Sequence, residues 1–508
     1  MGVALCCALG PTLAFALAAC PPAAASQPIP TSSPRPHVVI LIMDEFPGDH
    51  MLGPDGLIDG VRFPAFARLA RRSHWFPNAS TWSPATSGAV PGILDGRLPR
   101  ADAPATSRGH PFSLYHALGR AGYRIVDGEE TTALCPPALC ARLAIRSPPC
   151  RVRNCRFIGP GRVRRFKRWL ATMRPAAKPT LWVKHLLLPH RPWIYLPSGL
   201  RMQDSRRIQG PLFGLNRFGG PPDEFLRLHN FQRHLLQLRF MDRLVGRLLD
   251  RLMRQRIFDD SLVVVTSDHG YSFTGGLRQH RRLGQANVHQ IAPVPLLVKM
   301  PDQATAQRHD VYAANLDVAP TVADTVGVSL GAPTDGAPLL GEVVHSRGSV
   351  FLADRLALPP AEFERRRGAW NQRRLRLFGW GRHGFWNGIG PNRHLVGRRV
   401  PRADRRREGR PRATFVYADR LRRVDRASGL WPIQVAGDLR GGSRRRRHAL
   451  ALAVNGRIEA VGRSFRLPGD RTMHFAMMVP PRSLHEGRNR VELFRVRGGA
   501  RLRLLGRV

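Results

Sequence analysis

Asp44-Glu45, His190 and Asp268-His269 have side chains of the types that hold a divalent cation, and Ser83, Thr86 and Ser87 are hydroxyls that could react beside one. Carboxylates with an imidazole form a mixed oxygen and nitrogen set, which suits Zn²⁺ or Mn²⁺ and admits Mg²⁺ or Ca²⁺. A hydroxyl is a poor nucleophile near neutral pH unless a cation or a base lowers its pKa. In "SPATSGAVPGILDGRLP", residues 83–99, the hydroxyls precede a segment predicted to open a helix near Thr86. There the free N–H groups and the helix dipole favour a phosphate or sulfate. An ordinary N-cap occupies the same kind of position.

Each acidic or imidazole candidate follows a run that reads as a buried strand. "HVVILIMDE" ends at Asp44-Glu45, "TLWVKHLLLPHRPW" contains His185 and ends at His190, and "SLVVVTSDHG" ends at Asp268-His269. Short β-branched apolar runs of this kind belong to parallel strands covered on both faces. "FSLYHALGRAGYRIV" reads as a helix, a glycine stop and a strand, and Phe225 to Arg256 as a long amphipathic helix with arginines on its outer face. Strands alternating with helices predict an α/β fold, a mostly parallel sheet flanked by helices. In such folds the ligand lies beyond the carboxyl ends of the strands, so the candidates should meet at one sheet edge.

Residues 1–35 read as an export signal or membrane-anchor remnant plus linker, 36–345 as the catalytic domain and 346–410 as an Arg-rich connecting segment of little periodicity. Residues 411–508 read as a small C-terminal β-sandwich, with a hairpin marked by Asn455-Gly456. The start, "MGVALCCALGPTLAFALAACPPAAAS", fits a cleaved signal, a lipoprotein box ending at Cys20 or the remnant of a membrane helix. All three place the rest outside the cytoplasm, secreted or membrane-anchored. Cys135, Cys140, Cys150 and Cys155 suit two disulfides of open pairing better than zinc, whose ligands are usually closer in sequence. The net charge of +44 is carried almost wholly by arginine, since only four of the 80 basic residues are lysine. That pattern fits a coding bias as well as an anionic partner.

Taken in order, five of these elements resemble the alkaline phosphatase and sulfatase superfamily over roughly residues 36–340: "HVVILIMDE", "TSGAVPGILDGRLP", "HLLLPHRPW", "TSDHG" and "NLDVAPTVADTVGV". The resemblance implies that Asp44, Asp268, His269 and the Thr86 oxygen hold the metal. Glu45 is either a further ligand or an arginine's partner. Thr86 falls at the nucleophile position, where sulfatases place a Cys or Ser before x-Pro-x-Arg for oxidation to formylglycine. Threonine cannot give that aldehyde, and Ser-Gly-Ala-Val follows it. In this respect the chain is more similar to envelope phosphoethanolamine and phosphoglycerol transferases. The implied reaction is transfer or hydrolysis of a phosphoester through phospho-Thr86, with His190 binding the phosphoryl oxygen or protonating the leaving group. His185 and His280 are further substrate-side candidates, and His289 a weaker one. The implied substrate is an anionic lipid-linked or polymeric envelope component near a membrane surface, with no specific nucleic acid. The alternatives are hydrolysis of small sulfate or phosphate esters, and an inactive binder of anionic polymer.

Overall fold

The apolar runs form the middle of one seven-stranded sheet. A computed structural model describes residues 35–98, 100, 102–140, 161–203, 223–274, 283–350, 358–382, 386, 389–406, 409–442, 446–467 and 469–508. The strands are β1 (His37–Asp44), β2 (His74–Trp75), β3 (Arg124–Asp127), β4 (Thr180–Pro189), β5 (Ser261–Ser267), β6 (Leu296–Lys299) and β7 (Gln307–Arg308), in spatial order β3-β4-β1-β5-β6-β2-β7. The first four in that order are parallel, and β6 runs antiparallel to both β5 and β2. Met43 pairs with Leu186 and Ser267, and Asp44 with Pro189. The carboxyl ends of β1, β4 and β5 therefore open at one edge, where the candidate residues begin.

Successive side chains point to opposite faces, and the core divides accordingly. Val39, Leu41, Met43, Trp182, Val263 and Val265 share one apolar cluster, while Val38, Ile40, Ile42, Val183, Leu262 and Val264 share another. Helices α1 (Pro64–Ala70), α4 (Arg162–Ala171) and α5 (Glu224–Arg254) cover the first face; α2 (Thr86–Asp95), α3 (Leu114–Arg120) and α6 (Val318–Thr325) cover the second. Burying each such side chain contributes about 1.5–3 kcal/mol, which fixes the sheet that aims the site.

Two helices differ from the sequence expectation. Arg233, predicted on the outer face of α5, is fully buried, and so are Gln232, His234 and Gln237. Asp242 accepts hydrogen bonds from Ala65 and Phe66 N–H at the start of α1. The Arg-rich stretch expected to lack periodicity contains α7 (Pro360–Phe378). Its inward positions include arginines, which hides the apolar repeat. Arg367 is buried against Asp49, with nitrogen–oxygen distances of 2.6–2.9 Å. Buried Arg374 donates to the Leu52 carbonyl.

The C-terminal strands form a three-stranded antiparallel sheet (Arg412–Phe415, Gln434–Arg440, Met473–Met478) and a four-stranded one (Ala449–Val454, Arg457–Arg463, Val491–Arg497, Arg501–Arg507). Asn455 and Gly456 have φ of 51° and 85°, the two positive values that a tight hairpin turn requires. Residues of this region join the apolar cluster under α5. Among the described residues no helix is long and apolar enough to cross a membrane, and the export-like start lies outside them.

Candidate active site

The site assembles on the turns that leave β1 and β5. Glu45 takes φ of 65°, a left-handed conformation uncommon for a residue with a side chain. Neighbouring bonds hold it there. Its N–H donates to Asp268 Oδ1 at 3.1 Å, Asp268 N–H to the Met43 carbonyl at 2.9 Å, and Ser267 Oγ to that same carbonyl at 2.9 Å. Gly270 permits the second turn, because a Cβ there would lie 2.4 Å from the Gln290 carbonyl oxygen. Asn315, just before α6, steadies it by donating to the Ser267 and Asp268 carbonyls at 3.3 and 3.1 Å.

Ligand atoms of Asp44, Asp268 and His269 lie within 4.8 Å of one another, and so do those of Asp44, Glu45 and His190. All five residues are buried. Gathering carboxylates in a dry place is costly unless positive charge joins them. His269 Nδ1–H donates to the Gly270 carbonyl at 2.8 Å, which turns the Nε2 lone pair toward Asp268 Oδ2 at 3.5 Å. That Nε2 is buried and has no hydrogen-bond partner among the described residues. A lone pair facing carboxylates fits a cation, with the backbone carbonyl fixing the tautomer. Residues and orientation therefore fit a divalent metal. His190 repeats the arrangement: Nδ1–H donates to the Arg191 carbonyl at 2.8 Å, and Nε2 lies 3.4 Å from Glu45 Oε1.

Thr86 is the first residue of α2 and is buried. It is not the N-cap; Ala85 takes that position without a side-chain bond. The Thr86 hydroxyl instead donates to Asp268 Oδ2 at 2.9 Å. Ser83 is engaged locally with Ala85, and Ser87 is exposed. Of the three hydroxyls, Thr86 is the one bonded to the acidic cluster.

His185 sits beneath this pair, with Nε2 3.7 Å from Asp268 Oδ2 and Nδ1 2.9 Å from Glu129 Oε1. Burial opposes charge on His185, but the hydrogen bonds and charges of Asp268 and Glu129 raise its pKa to about 10. Burial likewise pushes Glu129 up, yet His185 and the Thr131 and Thr132 donors hold it at about 2. The two form an ion pair at neutral pH. Burial also raises Asp268, and the neighbouring His269 and His185 imidazoles with the Glu45 N–H outweigh it, holding the carboxyl below its usual range. Sequence reasoning missed Glu129. The available signal was an acidic pair, Glu129-Glu130, just past the predicted strand "YRIV", the same placement as Asp44-Glu45.

Also missed was the clamp on the loop after β4. Arg162 is buried and donates to the carbonyls of Leu187, His190 and Pro192 at 2.7, 2.6 and 3.0 Å. Burial lowers its pKa to about 10, so it stays cationic. Gln237 donates to the Pro189 and His190 carbonyls at 2.9 and 3.1 Å and accepts from Ile194 and Tyr195 N–H at 3.0 and 3.2 Å. Gln237→Ala strands these buried backbone groups, at roughly 1–3 kcal/mol, and lets His190 drift. With catalytic groups misplaced by about 1 Å, kcat should fall on the order of 10²-fold while KM changes less. Steady-state kinetics with a thermal melt checks this, and an unchanged kcat would count against it.

His289 is half-buried beside Trp370 and is not among the residues whose ligand atoms gather with Asp44. His280, Cys150 and Cys155 lie outside the described residues. Cys135 and Cys140 are joined in a disulfide, so neither thiol is a zinc ligand here.

Residues 36–328 match the family model "Sulfatase". The choline-sulfatase of Rhizobium meliloti is 25% identical over 370 residues, covering 60% of this chain and 71% of that protein. Among solved structures, the phosphonate monoester hydrolase of Agrobacterium radiobacter aligns with a TM-score of 0.39 at 17% identity, covering 60% of this chain and 76% of that one. The phosphonate monoester hydrolase of Silicibacter pomeroyi aligns with a TM-score of 0.42 at 17% identity, covering 62% and 78%.

Proposed function

The chain belongs to the sulfatase family, whose members hydrolyse sulfate or phosphate esters, and from that membership we propose that it is a metal-dependent enzyme acting on phosphoesters through a covalent Thr86 intermediate. The observation that carries this reading is the Thr86 hydroxyl, 2.9 Å from Asp268 Oδ2 at the N-terminus of a ten-residue helix. Threonine in that place favours phosphoryl over formylglycine chemistry.

Asp44, Asp268, His269 and Thr86 Oγ1 would hold the cation, with Glu45 beside His190. Zn²⁺ or Mn²⁺ suits this donor set best, and Mg²⁺ or Ca²⁺ is compatible with its oxygens. A bound divalent cation lowers the pKa of a coordinated hydroxyl and offsets charge on phosphoryl oxygens. Asp268 Oδ2 orients the Thr86 hydroxyl by accepting its hydrogen bond, and as Oγ1 bonds to phosphorus the bond to the leaving oxygen breaks and the Thr86 proton passes to water. The free N–H groups of α2 face the phosphoryl oxygens. His190, whose Nδ1–H is held by the Arg191 carbonyl, acts in its doubly protonated form: Nε2–H donates to a phosphoryl oxygen or gives its proton to the departing oxygen. Water or an acceptor hydroxyl then attacks phosphorus, and the bond to Thr86 breaks with its proton returned. His185, locked between Glu129 and Asp268, orients the carboxylate without leaving its ion pair.

The substrate class in this reading is an anionic lipid-linked or polymeric envelope component, handled outside the cytoplasm at or near a membrane surface. The positive charge of the chain and the export-like start support it. A second reading, sulfate-ester hydrolysis, is favoured by the choline-sulfatase match. Parallel turnover of bis(p-nitrophenyl) phosphate, p-nitrophenyl phosphate and p-nitrophenyl sulfate separates the two. The phosphoesters should be cleaved at least about tenfold faster, a difference of about 1.4 kcal/mol in barrier. Preference for the sulfate would overturn the Thr86 phosphoryl reading. Appearance of the donor's phosphoryl group on an acceptor hydroxyl, and not only release of diacylglycerol from a phospholipid donor, would mark a transferase.

A further inference from the structure

We propose that the C-terminal sandwich holds a second anion-binding cleft, built to take successive sulfate or phosphate groups of an anionic glycan chain. A concavity of about 560 Å³ is lined by Arg399, Arg402, Arg405, Arg457, Arg482 and Arg490 around the Asn455-Gly456 hairpin. Basic residues are 80 of 508 in the whole sequence, yet arginine supplies six of the thirteen residues here. A uniform coding bias does not gather charge in this way.

The cleft has a rigid floor. Asn455 Nδ2 donates to the Ser483 carbonyl and to Asn489 Oδ1 at 3.1 and 3.0 Å, and Asn455 Oδ1 accepts from Arg490 N–H at 3.0 Å. A Cβ on Gly456 would lie 3.3 Å from Arg490 Nη2 and 3.7 Å from Arg405 Nη2, so two guanidinium groups converge over the turn. Buried Glu492 anchors both arginines, at 3.3 and 3.4 Å. Arg399, Arg402, Arg457 and Arg482 are exposed and form no ion pair among the described residues. Six arginines collected around a concavity outnumber its two carboxylates, half-buried Glu459 in the lining and buried Glu492 below, and focus positive potential into it. Guanidinium forks match sulfate and phosphate oxygens bidentately.

The lining favours a glycan over two other polyanions. It includes no exposed large apolar side chain, the anchor that interfacial membrane binding uses. It also includes no Phe, Tyr or Trp, on which unpaired bases would stack. The cleft deepens the reading of an anionic polymeric substrate and rests on it for the glycan's role. Binding is measured without turnover, so failure here and failure of the Thr86 chemistry are separate results.

The probe is a short dextran sulfate, titrated into the full chain at several salt concentrations with neutral dextran and duplex DNA alongside. Arg402→Ala, Arg457→Ala and Arg482→Ala combined should weaken binding at least tenfold and make the salt dependence shallower by about two to three in slope. Arg402→Glu alone should weaken it about fivefold, so the answer does not hang on the triple variant's folding. Three exposed arginines of the catalytic domain, Arg71, Arg124 and Arg254, changed to Ala together should leave affinity within twofold. Wild-type affinity in the cleft variants would overturn the proposal, as would an equal loss in both triplets. Tighter binding to duplex DNA than to dextran sulfate would overturn the glycan assignment.

Discussion

Thr86→Ala stops turnover, with kcat falling by about 10³-fold or more, while Thr86→Ser keeps activity within about tenfold. The expectation follows from where the hydroxyl is. It occupies the start of α2 without capping it, so its removal costs the helix no N-cap and leaves Ala85 in place. It donates to Asp268 Oδ2, so alanine removes the attacking oxygen and its activation together. Loss of a nucleophile ordinarily costs several orders of magnitude in rate. Serine restores the oxygen with a freer rotamer, since it lacks the branch that stiffens threonine. Melting temperatures of both variants should stay near wild type, separating a chemical loss from a folding one. An alanine variant within tenfold of wild type would mean that another group attacks.

Asp268→Ala combined with His269→Ala abolishes metal retention. In the native chain these residues place a carboxylate and the His269 Nε2 lone pair beside Asp44. The variant leaves Asp44 and Glu45 with His190, too few donors on the β5 side to close the shell. Wild-type protein purified with Zn²⁺ or Mn²⁺ should carry close to one equivalent by elemental mass spectrometry, and the variant close to none. Stability gives an independent readout. A ligand at 100 times its Kd stabilises the folded state by about 2.7 kcal/mol, so chelation should lower the wild-type Tm. The variant's Tm should not respond to chelator. Activity then follows metal content, falling at least about 10³-fold. Metal bound equally by both proteins would place the cation elsewhere.

Much of this arrangement was legible because strand ends and ligands coincide. Apolar runs buried on both faces placed β1, β4 and β5 in one parallel set, and a parallel set opens its carboxyl ends on one side. Asp44, Glu45, His190, Asp268 and His269 could thus be placed together from their spacing. What escaped notice was polar and long-range. Gln237 and Arg233 lie in a helix that reads as amphipathic, yet they are buried to satisfy backbone groups of the loop after β4. Helical periodicity registers apolar faces and gives no signal for a buried amide whose partners lie more than forty positions away. Arg367 and Arg374 hid α7 for the same reason, since an arginine facing Asp49 reads as an exposed residue. Glu129 was missed because its meaning depends on His185, which comes 56 positions later. The disulfide pairing also needed coordinates, because four clustered cysteines allow several connectivities.

The most direct test of the central claim is a search for the covalent intermediate on Thr86. Metal-loaded protein is mixed with bis(p-nitrophenyl) phosphate, quenched in acid within the first turnovers and cut with trypsin. Residues 73–97 form one tryptic peptide that holds Thr86 together with Ser83 and Ser87. The account predicts a p-nitrophenyl phosphoryl adduct on that peptide, localised by fragmentation to Thr86 and absent from Thr86→Ala. An adduct on Ser83 or Ser87, or steady turnover with no adduct under conditions where hydrolysis of the intermediate is slow, would contradict it.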